Sequence, residues 1–216
     1  MKRTSRTTTA LLLLLGTTGT AGAVAAPAHA DGFALPVQCE VGQETLLPWD
    51  DIAYDLRGTC GVVRVTADDS TVTMPAATEL VLEGTGNAVT AKPLTDVHLV
   101  GAGNSVTTPS VRNLSVSGAG STVTVTGLVE CAELASASSL LTADTINVLR
   151  LRGSDSVRAR KAYRTRITGS DNVLAVTRSD RLVLTGHRNA VTVGRGRTTV
   201  RDRGEDNVLD LRRRTR

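Results

Sequence analysis

Residues 84–90 read GTGNAVT and residues 101–107 read GAGNSVT. The two stretches share both glycines, the asparagine and the Val-Thr pair, 17 residues apart. Self-similarity at a fixed short period is the signature of a repeat architecture, so the asparagine is taken as an anchor and followed in both directions. The anchors are Ser70, Asn87, Asn104, Ser121, Ser139, Ser156, Asn172, Asn189 and Asn207, with steps of 17, 17, 17, 18, 17, 16, 17 and 18 residues. Three residues before the anchor stands a small residue, glycine in seven units of nine, among them Gly84, Gly101 and Gly118. Glycine there marks a bend that needs positive φ or close backbone approach.

Apolar residues flank that bend at fixed offsets. Seven before the anchor stand Val63, Leu80, Val97, Leu114, Ala132, Leu149, Thr165, Leu182 and Val200; five before stand Val65, Leu82, Leu99, Val116, Leu134, Leu151, Ile167, Leu184 and Asp202. Two after it stand Val72, Val89, Val106, Val123, Leu141, Leu174, Val191 and Leu209. Each unit is therefore two short segments of period two, the pattern of strands with one buried face. Between the apolar positions lie mostly Thr, Ser, Arg and Glu.

Two strands and two turns per ~17 residues, with no helical period between them, describe one winding of a parallel β-solenoid. The sequence predicts an all-β, single-domain β-solenoid of about nine such coils, stacked at roughly 4.8 Å into a rod on the order of 40 Å long. An all-β sandwich also spaces its strands by turns, but nothing in a sandwich requires an Asn or Ser at one phase of a fixed period. Aliphatic columns fill the interior, which explains a chain with one Trp, one Phe and two Tyr. The structural ladder is expected from Asn87, Asn104, Asn172, Asn189 and Asn207, whose amides can satisfy their own bend and reach the next coil.

One coil departs from the pattern. In GSDSVRARKAYRTR (153–166) the register points Arg158 and Arg160 inward. Two unpaired buried guanidiniums are prohibitive. A slip of one residue instead turns Val157 and Ala159 inward and both arginines outward.

The ends read differently. Residues 1–30 carry Lys2, Arg3 and Arg6, then Leu11–Leu15 and an Ala-rich run, then Ala28-His29-Ala30. This is the layout of a secretory signal peptide and places the chain in a secreted, extracellular or cell-wall-associated setting. Residues 31–58 show no repeat and are expected to cap the first coil, residues 59–211 form the solenoid, and residues 212–216, RRRTR, are a basic tail. No later stretch is apolar enough to span a bilayer.

Charge is segregated. Beyond residue 30 there are 22 basic and 21 acidic residues, but residues 31–148 carry a net −10 and residues 149–216 a net +11. Such asymmetry points to an anionic partner or to salt-dependent self-association. Arg178, Arg181, Arg188, Arg195, Arg197, Arg201 and Arg203 spread over three consecutive coils and are the candidates for holding an anionic polymer of a cell envelope. Aromatic residues are not interleaved with them, so single-stranded nucleic acid is not expected.

The three cysteines are Cys39, Cys60 and Cys131. Cys39 in the cap and Cys60 at the first coil are the expected disulfide, which fastens the cap by ~2–4 kcal/mol. Cys131 is expected as a buried free thiol, with an intermolecular bridge or a different cysteine pairing as the alternatives. No Cys-x-x-Cys or His-x-x-x-His spacing exists for zinc, and no phosphate loop, nucleophile elbow or calcium repeat appears. The sequence thus supplies no catalytic, cofactor or metal residues. A Thr row three residues after the anchor (Thr73, Thr90, Thr107, Thr124, Thr142) is good strand chemistry on a solvent face. The functional expectation is a non-enzymatic binding or structural protein. The alternatives are a carbohydrate-active β-helix enzyme and a polyanion-binding or self-assembling surface protein.

The repeat GxGNxVT, the stretch YDLRGTCG (54–61) and the leader together resemble the secreted actinobacterial proteins grouped as domain of unknown function 3060. The resemblance spans residues 50–211. It implies export and a solenoid fold, and it brings no assigned activity and no catalytic residues.

Overall fold

A computed structural model describes residues 34–212. The expected signal peptide lies outside them, as does all but the first residue of the basic tail. Among the described residues there are 17 strands and no helix. Every pairing is parallel, and the chain winds as a β-solenoid of about ten turns.

Each turn contributes one strand to each of two faces. The anchor face stacks segments such as Thr71–Met74, Ala88–Ala91 and Ser105–Thr108. The second face stacks Cys60–Val65, Ala77–Leu82, Leu94–Leu99 and Val111–Val116. Further along, one strand serves both faces, as in Thr122–Leu134 and Ala137–Leu151. The register keeps identical positions in line: Val72 pairs with Val89, and Val106 with Val123. On the second face Leu80 pairs with Val97, and Leu114 with Ala132. These columns are the core, nearly all of it fully buried. Each large aliphatic side chain removed from water contributes about 1.5–3 kcal/mol, so the stacked columns are the main stabilising term.

Residues 35–58, which show no repeat in sequence, are wound as well. Leu35–Cys39 pairs in parallel with Ala53–Gly58, and Glu44–Leu47 with Cys60–Val65. The segment that covers the first repeat is itself an irregular winding. The Cys39–Cys60 disulfide ties it to the next turn, with Cα atoms 4.9 Å apart.

The turn between the faces carries a relay of side-chain bonds. The backbone N–H of each anchor donates to the side-chain oxygen of the next: Ser70 to Asn87 at 2.9 Å, Asn87 to Asn104 at 2.9 Å, Asn172 to Asn189 at 2.9 Å and Asn189 to Asn207 at 2.9 Å. Each amide nitrogen reaches back to a carbonyl of the preceding coil, as Asn104 Nδ2 does to Gly84 at 2.8 Å and Asn207 Nδ2 to Gly186 at 3.0 Å. One buried amide thus satisfies a donor and an acceptor that the bend takes out of the strand ladder.

The two glycines of GAG serve different ends. A Cβ on Gly101 would lie 1.9 Å from the carbonyl oxygen of Gly84, so stacked bends touch backbone to backbone. Gly103 instead has φ of 67°, the left-handed conformation that the residue before the anchor adopts in most turns; Asp69 and Asp171 adopt it elsewhere.

In the coil after Ser139 the anchor is Asp155, not Ser156. Asp155 is buried, its N–H donates to Asn172 Oδ1 at 2.8 Å, and its Oδ1 accepts from the Ser139 N–H at 3.1 Å. The one-residue slip turns Val157 fully inward and leaves Arg158 and Arg160 exposed. A second departure is Cys131, which is a free thiol but exposed, against the expectation of a buried one. It precedes inward Ala132, so strand alternation sends it to solvent.

Candidate anion-binding face

The outward positions of the second face form two straight rows. Row one runs Glu44, Val62, Glu79, Asp96, Asn113, Cys131, Val148, Arg164, Arg181 and Thr199. Row two runs Leu46, Arg64, Val81, His98, Ser115, Glu133, Arg150, Arg166, Val183 and Arg201. Each row is acidic or mixed in its first half and basic in its second, because outward positions in a solenoid repeat in phase with the core. Part of the charge asymmetry of the sequence thereby reappears along this surface.

The basic half encloses a groove of about 370 Å³ lined by Arg150, Arg164, Arg166, Arg181, Arg201 and Arg203, with Val148, Val183 and Thr185 between them. Arg164 and Arg181 are register neighbours, as are Arg150 and Arg166. Adjacent strands therefore hold guanidiniums at roughly 4.8 Å steps. Arg150 lies 3.8 Å from Glu133. Among the described residues Arg164, Arg166, Arg181, Arg201 and Arg203 have no carboxylate within ion-pair distance. Uncompensated guanidiniums on neighbouring strands raise a positive potential over the groove and offer planar forks to carboxylate or phosphate.

The sequence candidates divide. Arg181, Arg201 and Arg203 line the groove. Arg188 lies in the anchor turn and forks onto Asp171 at 2.9 and 2.8 Å, which raises its own pKa and lowers that of Asp171. Arg178 pairs in register with Lys161, beyond the groove's edge, and Arg195 and Arg197 lie in the exposed loop before Thr199–Asp202. Arg150, Arg164 and Arg166 are the groove residues that the sequence analysis did not select. For two of them the signal is present in the sequence: Arg150 and Arg166 each stand six residues before an expected anchor, between two inward positions.

The acidic half is knit locally. Arg64 bridges Glu44 and Glu83, its pKa raised chiefly by the hydrogen bond to Glu44. His98 lies 3.8 Å from Glu79. Among the described residues no three His, Cys, Asp or Glu side chains gather as a metal site would require, and no helix is long and apolar enough to cross a membrane.

The fold and this face define a class: parallel β-solenoids with a charged ladder surface. Within it, the profile of the family described as protein of unknown function (DUF3060) matches residues 161–206, which supports the family that the repeat resembles. That segment carries five of the six groove arginines, all but Arg150. Neither a curated protein nor a solved structure matches the chain.

Proposed function

We propose that the chain is a secreted, non-enzymatic β-solenoid that binds an anionic polymer of the cell envelope through the groove of the second face. The observation that carries this reading is the register pairing of Arg164 with Arg181, both without a carboxylate partner among the described residues, inside a groove bordered by four further arginines. A polymer of uronate or phosphate units presents repeated negative charges, and a ladder of guanidiniums at fixed steps meets such a repeat without reading a sequence. Among the described residues the groove lining contains no carboxylate and no imidazole. Glycoside hydrolysis on this face would need such an acid–base pair, which favours binding over turnover. The leader sequence and the Cys39–Cys60 disulfide agree with an oxidising, extracytoplasmic setting.

Retention on immobilised polygalacturonate and on long-chain polyphosphate tests the proposal. Replacing Arg164, Arg166 and Arg181 by Ala is expected to weaken binding at least ~10-fold and to flatten its salt dependence by about the number of lost contacts. Replacing Arg195 and Arg197 by Ala is expected to change it little. Equal retention of all three proteins would overturn the assignment.

A further inference from the structure

The charges of row one are antisymmetric about Cys131. In row one, two strands before Cys131 stands Asp96 and two strands after it stands Arg164. Three strands before stands Glu79, and three after stands Arg181. Apart from His98 beside Glu79 at 3.8 Å, none of these four has an ion-pair partner among the described residues. Asp96 accepts only the amide of Asn113, at 2.6 Å.

We infer that two copies of the chain pack through this face, antiparallel, about a twofold axis that passes through the Cys131 row position along the strand direction. Such an axis reverses the order of the turns and keeps each row opposite itself. It sets Asp96 against Arg164 of the second copy and Glu79 against Arg181, each pair twice. In row two it sets Val81 against Val183 and His98 against Arg166. Arg64 falls opposite Arg201, but Arg64 is already held by Glu44 and Glu83, so the cluster that Arg201 meets is net negative. Glu133 falls on the axis facing its own copy, with Arg150 at 3.8 Å and Arg152 at 3.1 Å offsetting the repulsion.

The surface is large enough. Nine overlapping strands at roughly 4.8 Å, each about 20 Å across, cover on the order of 800 Å² per copy, which is the size of a standard specific interface. The exposed thiols of Cys131 meet on the axis. Exchange with a small-molecule disulfide then joins them: the two thiols give up two protons and two electrons, and the oxidant leaves as two thiols. The pairing does not rest on polymer binding. It has a consequence for it, because the second copy's carboxylates occupy the same guanidiniums, so dimer and polymer exclude one another.

Sedimentation velocity at about 50 mM and about 500 mM salt tests the pairing, since screening at the higher value removes most of the attraction. The chain is expected to be dimeric at low salt and monomeric at high salt. Asp96→Arg alone and Arg164→Asp alone are each expected to raise the dimer dissociation constant at least ~10-fold, and the double variant to restore it. With oxidised glutathione, the native chain and the double variant are expected to yield a covalent dimer on non-reducing gels; the single reversals are not. Cys131→Ala is expected to abolish the covalent species and keep the salt-sensitive dimer. A chain monomeric at low salt, single reversals that leave the dimer intact, or a double variant that fails to restore it would overturn the inference. Polymer retention by the monomeric Asp96→Arg variant separates this outcome from the fate of the binding proposal.

Discussion

The carboxylate of Asp155 accepts from the Ser136 hydroxyl at 2.6 Å and from the Ser136 N–H at 3.2 Å. Ser136 stands where most turns have glycine, and Asp155 stands where they have Asn or Ser. An aspartate cannot donate back to the carbonyl of the preceding bend, as Asn104 and Asn189 do. The serine changes the balance by adding a donor, so the buried carboxylate collects three donors, counting the Ser139 N–H. The two departures from the repeat are one compensated exchange.

Ser136→Ala is accordingly expected to destabilise the protein by about 2 kcal/mol, the scale of a lost hydrogen bond to a buried charged group. Ser136→Gly combined with Asp155→Asn regenerates the regular turn and is expected to recover most of that loss. Urea unfolding of the single and double variants provides the check; a double variant no more stable than Ser136→Ala would refute the compensation.

The glycines of residues 101–103 should respond unequally. Gly101→Ala drives a Cβ against the Gly84 carbonyl and has no flexible side chain to displace. A loss of about 3 kcal/mol or more is expected, in the range of other forced overpacking. Gly103→Ala meets no atom closer than 3.8 Å and suffers only its left-handed backbone, with φ of 67°. About 1 kcal/mol is expected there, after the gain from a stiffer unfolded chain. Reversed ranking in thermal unfolding would contradict the stacking account.

Asp144 shows a pH effect that the geometry makes specific. Its hydrogen bond with Arg160, Nε to Oδ1 at 2.5 Å, lowers its pKa to about 2, helped by the Thr145 hydroxyl at 2.9 Å. A depressed folded-state pKa favours the folded chain above the ordinary carboxylate range. That contribution fades as pH falls from about 4 towards 2. Carboxyl NMR titration is expected to place Asp144 near 2 in the native chain and back in the ordinary range in Arg160→Ala. An unshifted native titration would show that the pair does not persist in solution.

The disulfide should act locally. Replacing Cys39 and Cys60 by Ser is expected to cost about 2–4 kcal/mol. Because each turn of a solenoid contacts only its neighbours, the loss of hydrogen-exchange protection should concentrate in Leu35–Cys39 and Glu44–Leu47. Protection in Ala137–Leu151 should stay as it was. Uniform loss along the chain would argue against nearest-neighbour stability.

Much of this molecule is legible without coordinates because a solenoid translates sequence period directly into space. A Val or Leu two residues after each anchor must join a column, and the columns at Val72, Val89 and Val106 are in line as read. Reading failed where the repeat was locally broken or absent. The slip that turns Val157 inward is legible from Arg158 and Arg160, but Ser156 and Asp155 differ by one position and both are polar; the hydrogen-bond relay through buried Asp155 assigns it the anchor role. Residues 35–58 wind without the repeat's letters, since parallel pairing needs backbone bonds and an apolar inner face, not an Asn-Gly turn.

What the sequence alone determined is the period, the anchored turn and the inward aliphatic columns, because each depends on residues within one ~17-residue unit. The tertiary structure decided which charges share a surface. Arg164 and Arg181 are 17 residues apart in the chain but neighbours on adjacent strands, while Arg188, only seven residues further on, is turned to another side and bound to Asp171. Proximity on the rod follows phase within the winding, not distance along the chain, and phase is fixed only when every strand has found its register.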